Sequence, residues 1–299
     1  MSEVLTTTAT HDPAPAGPGG RSRRRGGVLG IGGWISAAWL VIVSTAAILA
    51  PWLPIDDPAL TDFMVPNNSP PLKAGHLLGT DQIGYDIFSR VIWGGRVSLV
   101  VALGVLAIGM VVGGTIGVLA GFLRGRVETV LMAVVDIFLA FPALILLIAI
   151  VAFLGADLSK VVLGISLVSI PAFARIARAT TLTFAQREFV LAATAAGASR
   201  LRILVREIVP NVILPLLAFG LLVVGIAIVA EGSLAFLGLT SQETISWGGM
   251  INGGKRPLQQ ENIAHTALIP AFVMFVTVLA VNLLGDRFRA AFDVKDAAL

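Results

Sequence analysis

Four arginines fall between two long apolar runs of this chain, in the stretch 186–211 that reads QREFVLAATAAGASRLRILVREIVPN. At the centre of a membrane helix, Arg187, Arg200, Arg202 and Arg206 would together cost roughly 12 kcal/mol, which places this stretch outside the hydrocarbon. It does not read as a linker either. Phe189, Val190 and the pair Ala192 and Ala193 precede Gly197, and Leu201, Leu204, Val205 and Ile208 follow at i, i+3, i+4 and i+7, the period of a helix with one apolar face. Two short helices hinged at Gly197 are expected.

The surrounding composition excludes a soluble domain. The 299 residues are 56% hydrophobic and 13% charged, with a mean hydropathy of +0.90, whereas soluble domains are typically about 25% charged. An all-α polytopic membrane protein is expected, in which close helix packing replaces the aqueous hydrophobic effect. With no cysteine, disulfides, thiolate metal sites and cysteine nucleophiles are excluded. Residues 1–30, rich in Thr, Ala, Pro, Gly and Arg, cannot bury enough surface to fold and read as a disordered tail. Arg21, Arg23, Arg24 and Arg25 followed by an apolar run suggest a signal peptide, but the run from Gly26 to Leu53 is too long for one, so an uncleaved first span is expected.

About 20 residues of helix cross the hydrocarbon, and the charge-free stretches give six spans. They are Trp34 to Leu53, Val97 to Leu123, a core of Ile137 to Ala156, the short Val161 to Ala174 with Lys160 and Arg175 snorkelling at its ends, Val212 to Ala230, and Ile263 to Gly285. The domain division follows: a tail 1–30, the first span and an external loop 31–75, a transmembrane unit 76–290 containing the loop 186–211, and a tail 291–299. Of the 21 Lys and Arg residues, 15 fall before residue 34, at Arg124 and Arg126, between residues 175 and 211, and between residues 286 and 299. The positive-inside rule therefore puts both termini and the 186–211 loop in the cytoplasm.

Within that loop Ala192, Ala193, Gly197 and Pro210 fall on the pattern Glu-Ala-Ala-x-x-x-Gly, followed by an Ile-x-Leu-Pro ending. The stretch resembles the cytoplasmic loop of permease subunits in ATP-binding cassette importers, with Leu191 standing where that family has Glu. Residues 76–99, HLLGTDQIGYDIFSRVIWGGRVSL, resemble a segment before the second span of the C-type permease of dipeptide and oligopeptide importers. Gly79, Thr80, Asp81, Gly84, Asp86, Ser89 and Arg90 match, and Tyr85 replaces an Arg. Ile83, Ile87, Val91 and Ser98 suggest a helix lying on the outer membrane surface. A structural collar at the pore mouth and contact with substrate both remain open for it.

The resemblance covers nearly everything from His76 to Asp293. It implies half of a translocation pathway in the bacterial inner membrane, paired as a heterodimer with a homologous permease. It also implies two cytoplasmic cassette ATPases and an external solute-binding protein. The helix at Glu188 to Ser199 would sit in a groove of an ATPase, with Glu188, Phe189, Ala192, Ala193, Gly197, Ala198 and Ser199 as the coupling residues. ATP and Mg would be used by those partners and no cofactor by this chain, because none of Lys73, Lys160, Lys255 and Lys295 ends a phosphate loop. Lipid surrounds such a chain, and nothing in it points to nucleic acid or a metal; none of the three histidines begins an HExxH.

Gly109, Gly113, Gly117 and Gly121 repeat every four residues in the second span, a stripe that permits close approach of another helix, in this chain or a partner. Asp136, Glu231 and Asp286 lie near span ends and match acidic positions of the family. Each is expected to be hydrated and to make a structural hydrogen bond or ion pair, with a proton relay as the lesser reading. Pro142, Pro171 and Pro270 are expected to kink or end helices. An ion-gradient-driven secondary carrier would show inverted repeats, and none is visible. An intramembrane hydrolase would need a nucleophile and base that this sequence does not offer. Either would leave residues 186–211 unexplained.

Overall fold

The computed structural model describes residues 30–296 except 74, 242, 243 and 262, with side chains as far as residue 290. The tail expected for residues 1–30, with its arginines, lies outside that range except for Gly30. The described chain is built of helices. They are α1 (Gly30–Leu49), α2 (Ile87–Leu123), α3 (Gly125–Leu139), α4 (Ala143–Leu154) and α5 (Leu158–Phe184), then α6 (Glu188–Ala195), α7 (Arg200–Phe236), α8 (Trp247–Gly253), α9 (Lys255–Gln260) and α10 (His265–Asp296). Among the described residues α1, α2, α5, α7 and α10 are long and apolar enough to cross a bilayer, and α3 with α4 makes a sixth crossing if the bent pair is one span.

The third span is not one straight helix, and its break falls at Pro142, one of the prolines expected to kink or end a helix. Instead of one helix through Ile137 to Ala156, α3 and α4 meet at 85°. Pro142 has no N–H to donate and its ring disfavours helical backbone at Phe141, so the chain closes α3 with a turn, Phe141 N–H to Phe138 O at 3.4 Å, before restarting. Pro171 and Pro270, by contrast, lie inside unbroken helices.

The other spans are longer than their charge-free cores. The fourth does not stop at Ala174: α5 carries Arg175 and Arg178 on its wall, because each finds an acid on α3. The segment after Ile83 is not a separate surface helix but the start of α2, whose 37 residues make a rod of about 55 Å at about 1.5 Å per residue. Likewise Arg200 to Ile208 is not a second short helix, because it runs without a break into the fifth span as α7. A π-turn at Leu204–Ile208 changes its buried face: Ile203, Ile208 and Val212 point inward while Leu201 is 70% exposed. An extra residue per turn rotates the stripe away from a simple 3.6 period. The last helix continues to Asp296, so most of the expected C-terminal tail is helical.

The core lies where α2, α5 and α7 meet. Phe173 of α5 is fully buried and its ring stands edge-on to Phe219 of α7, centroids 5.2 Å apart. Trp247 of α8 lies against Gly94 and Gly95, and its indole N–H donates to the Val91 carbonyl at 2.8 Å. The large ring is thereby seated on a patch of α2 that has no side chains of its own.

Candidate functional site

The 186–211 segment forms a bonded corner at Gly197 rather than a hinge. Glu188 sits in the first turn of α6, where a carboxylate favours the helix dipole. Gly197 has φ of +79°. Its N–H donates to the Thr194 carbonyl at 3.0 Å, and the Ala198 N–H to the Ala193 carbonyl at 3.0 Å, the paired bonds of a Schellman motif with glycine at the left-handed position. Ser199 then caps α7 by accepting from the Arg202 N–H at 3.4 Å. Val190 is buried and anchors α6 to the bundle, while Ala193 and Ala198 are half-buried against the core. Glu188, Phe189, Leu191, Ala192, Ala195, Ala196, Gly197 and Ser199 face outward.

The glycine stripe faces α5 of the same chain. A Cβ on Gly113 would lie 2.5 Å from the Ile170 carbonyl, one on Gly121 2.9 Å from the Arg178 carbonyl, and one on Gly109 2.6 Å from the Phe173 ring. On Gly117 it would overlap the Ala174 carbonyl. A π-turn at Gly109–Gly113 accommodates the close approach.

The acids have three different environments. Asp136 of α3 accepts from Arg175 at 2.7 Å, and one turn further along α5 Arg178 donates through Nε to Glu128 at 2.7 Å. These pairs, with Thr129 and Met132, line a cavity of about 630 Å³. Glu231 is not hydrated: it is 2% exposed and accepts from the Ser98 hydroxyl at 3.1 Å and from Ser246, joining α7 to α2 and to the turn before α8. Asp286 is exposed, 4.0 Å from Arg289. Sequence reading missed Glu128, Ser98, Ser246 and Trp247. Glu128 stood fifty residues from its partner, and the TISWGGM stretch is too short to show periodicity.

Outside the spans, the 76–90 motif is a self-supporting knot. Gly79, at φ of +81°, leaves no room for a Cβ against the Ser69 carbonyl. Ser69 and Thr80 exchange bonds, Thr80 N–H to Ser69 O and Ser69 N–H to Thr80 Oγ1, both at 3.0 Å. Asp81 accepts from the Ile83 and Tyr85 N–H groups at 2.9 and 3.0 Å. Asp86 caps α2 through the Ser89 N–H at 2.6 Å. Tyr85 lies under the Arg90 guanidinium at 4.3 Å, so the residue that replaces the family Arg stacks instead of adding charge. Asp81, Tyr85 and Arg90 with Asn252 and Thr266 of the opposing helices border a second cavity of about 630 Å³.

Comparison with known proteins agrees with this architecture. Residues 113–295 match the family model described as binding-protein-dependent transport system inner membrane component. The glutathione transport system permease protein GsiD of Pectobacterium atrosepticum is 37% identical over 258 residues, covering 86% of this chain and 84% of that protein. The protein of the same name from Escherichia coli is 39% identical over 263 residues, covering 87% and 85%. Among solved structures, an inward-facing MetNI methionine ABC transporter superposes with a TM-score of 0.56 over 67% of this chain and 95% of that one, at 19% identity. That likeness concerns the fold alone.

Proposed function

This chain belongs to the family of binding-protein-dependent transport system inner membrane components, and from that premise we propose that it forms one half of a peptide pathway, driven through α6 by a cytoplasmic ATPase. It is a multi-pass permease subunit of an ATP-binding cassette importer and carries no ATPase site of its own. The ion-gradient carrier falls with the family assignment. Its partners are an ATPase and a substrate-binding protein. In our reading the complete assembly holds a second, homologous permease, two cassette ATPases that use the ATP and Mg, and an external solute-binding protein. Both termini lie in the cytoplasm. The cargo is a small peptide of the glutathione type, a choice supported by the relatives' names.

The observation that carries the coupling role is the form of the 188–199 corner. An eight-residue helix presents Leu191, Ala192, Ala195 and Ala196 outward, and its far end is locked by the Schellman bonds and the Ser199 cap onto the 37-residue α7. A displacement of α6 is passed to α7 instead of being absorbed at Gly197. Small outward side chains allow a groove to close on them.

The test is mild detergent extraction followed by mass spectrometry and reconstitution into vesicles. We expect a second permease and cassette ATPases to co-purify, and ATP-dependent uptake of glutathione or a short peptide supplied with the cognate binding protein. An active transporter composed of this chain alone would sink the assembly. Full uptake without ATP would sink the drive.

A further inference from the structure

His76 poses a problem of proton placement that neither neutral form of its ring resolves. The side chain is 6% exposed. Nδ1 faces two carboxylates, Asp86 Oδ1 at 2.8 Å and Asp56 Oδ2 at 3.7 Å, while Nε2 faces a third, Asp62 Oδ2, at 3.5 Å. Nε2 has no hydrogen-bond partner. With the proton on Nδ1, the bare Nε2 lone pair confronts Asp62. With it on Nε2, the Nδ1 lone pair confronts both Asp56 and Asp86. A neutral imidazole has one donor and one acceptor, and this pocket offers only acceptors.

We propose that Asp56, His76 and Asp86 bind a divalent cation at the external foot of α2, with Asp62 as the outer carboxylate that orients the imidazole. The donor atoms of the three ligands lie within 4.8 Å of one another, and four ligands around a zinc-sized ion at about 2.1 Å stand about 3.4 Å apart. Nδ1 then coordinates, and Nε2–H is free to donate to Asp62. A metal-ligating histidine characteristically gives its other N–H to such a group.

Charge and access favour the ion over a proton. Among the described residues the ion pairs of Asp56, Asp62 and Asp86 are with His76 only. Around one protonated ring the three acids leave two negative charges, and around a divalent ion with neutral His76 they leave one. A proton on Nδ1 also serves Asp86 alone, whereas Asp56 at 3.7 Å is too far for a hydrogen bond and well placed for a bridging ion. Asp86 has Oδ1 to spare because its Oδ2 accepts from the Ser89 N–H at 2.6 Å. Asp56 is 68% exposed, which leaves an entry path from outside. One nitrogen and two oxygens suit zinc, with water in the open position. The ion would pin the chain after α1, the loop at residue 76 and the first turn of α2 to one point.

The full-length protein, purified without a histidine tag, is stripped with chelator, dialysed against zinc and separated from free metal. Elemental analysis should then find about one zinc per chain, and the melting temperature should rise with zinc and fall on chelation. Asp56→Asn, an exposed substitution that leaves the fold intact, should abolish both responses, while Asp57→Asn should keep them. The proposal is overturned if zinc retention is the same in Asp56→Asn as in the parent. It is equally overturned if the parent neither retains zinc nor responds to chelator.

Discussion

The carbonyl oxygen of Ala174 occupies the space that a Cβ on Gly117 would need, so α2 and α5 meet backbone to backbone at this level. Gly117→Val should therefore lower the stability of the detergent-solubilised protein by at least about 1–3 kcal/mol, the usual range for overpacking. Gly32→Ala on α1, where nothing lies within 4 Å of the added methyl, should be neutral or stabilise by up to about 1 kcal/mol. Thermal melts of the two variants check this, and equal losses would contradict the packing.

Ala192→Arg should uncouple transport without unfolding. Ala193 is half-buried and Gly197 needs φ of +79°, so both would mix structural damage with lost docking, whereas Ala192 is exposed. Stability should change by no more than about 0.5 kcal/mol. In reconstituted vesicles, cargo-stimulated ATP hydrolysis and uptake should both collapse. Near-normal uptake by a fully assembled complex would remove α6 as the coupling element.

Reversing one charge of the Glu128 and Arg178 pair places like charges together on α3 and α5. Glu128→Arg should destabilise, and adding Arg178→Glu should restore part of the loss, with a coupling energy of about 0.5–3 kcal/mol in a double-mutant cycle. Simple additivity of the two changes would show that the pair does not hold α3 to α5.

Glu231 accepts from Ser98 and Ser246, and an isosteric amide keeps an oxygen acceptor there without the charge. Glu231→Gln should keep both stability and uptake. Glu231→Leu should cost about 1–3 kcal/mol by leaving two buried hydroxyls without their acceptor. Loss of uptake in a stably folded Glu231→Gln protein would mean that the carboxyl moves a proton and is more than structural.

Single cysteines in this cysteine-free chain test its orientation. Ser69 is buried and unsuitable, whereas Met64 is 95% exposed in the segment between α1 and α2 and Ala196 is exposed at the end of α6. Met64→Cys should react with an impermeant thiol reagent on intact cells, and Ala196→Cys only after permeabilisation. Reaction of both from outside would refute cytoplasmic termini.

The number of apolar runs, their order and the exceptional 186–211 stretch were legible because each rests on a local quantity. An arginine's cost in hydrocarbon and a twenty-residue crossing length do not depend on the rest of the fold. Part of the motif at residues 79–90 was legible too, since the Asp81 turn and the Asp86 cap are satisfied within a few residues, whereas Gly79 and Thr80 rest on Ser69. Span ends were misplaced where a charge found a distant partner. Arg175 and Arg178 end a span only if they are alone, and Asp136 and Glu128 lie far back along the chain on α3.

Local sequence thus determined that this chain is a helical membrane protein and the order of its apolar runs. Only tertiary structure decided which helix the glycine stripe faces, that Glu231 is buried and that His76 meets three acids. Those depend on which surfaces come together. Partners drawn from separate helices and loops leave no period or spacing in the sequence to reveal them.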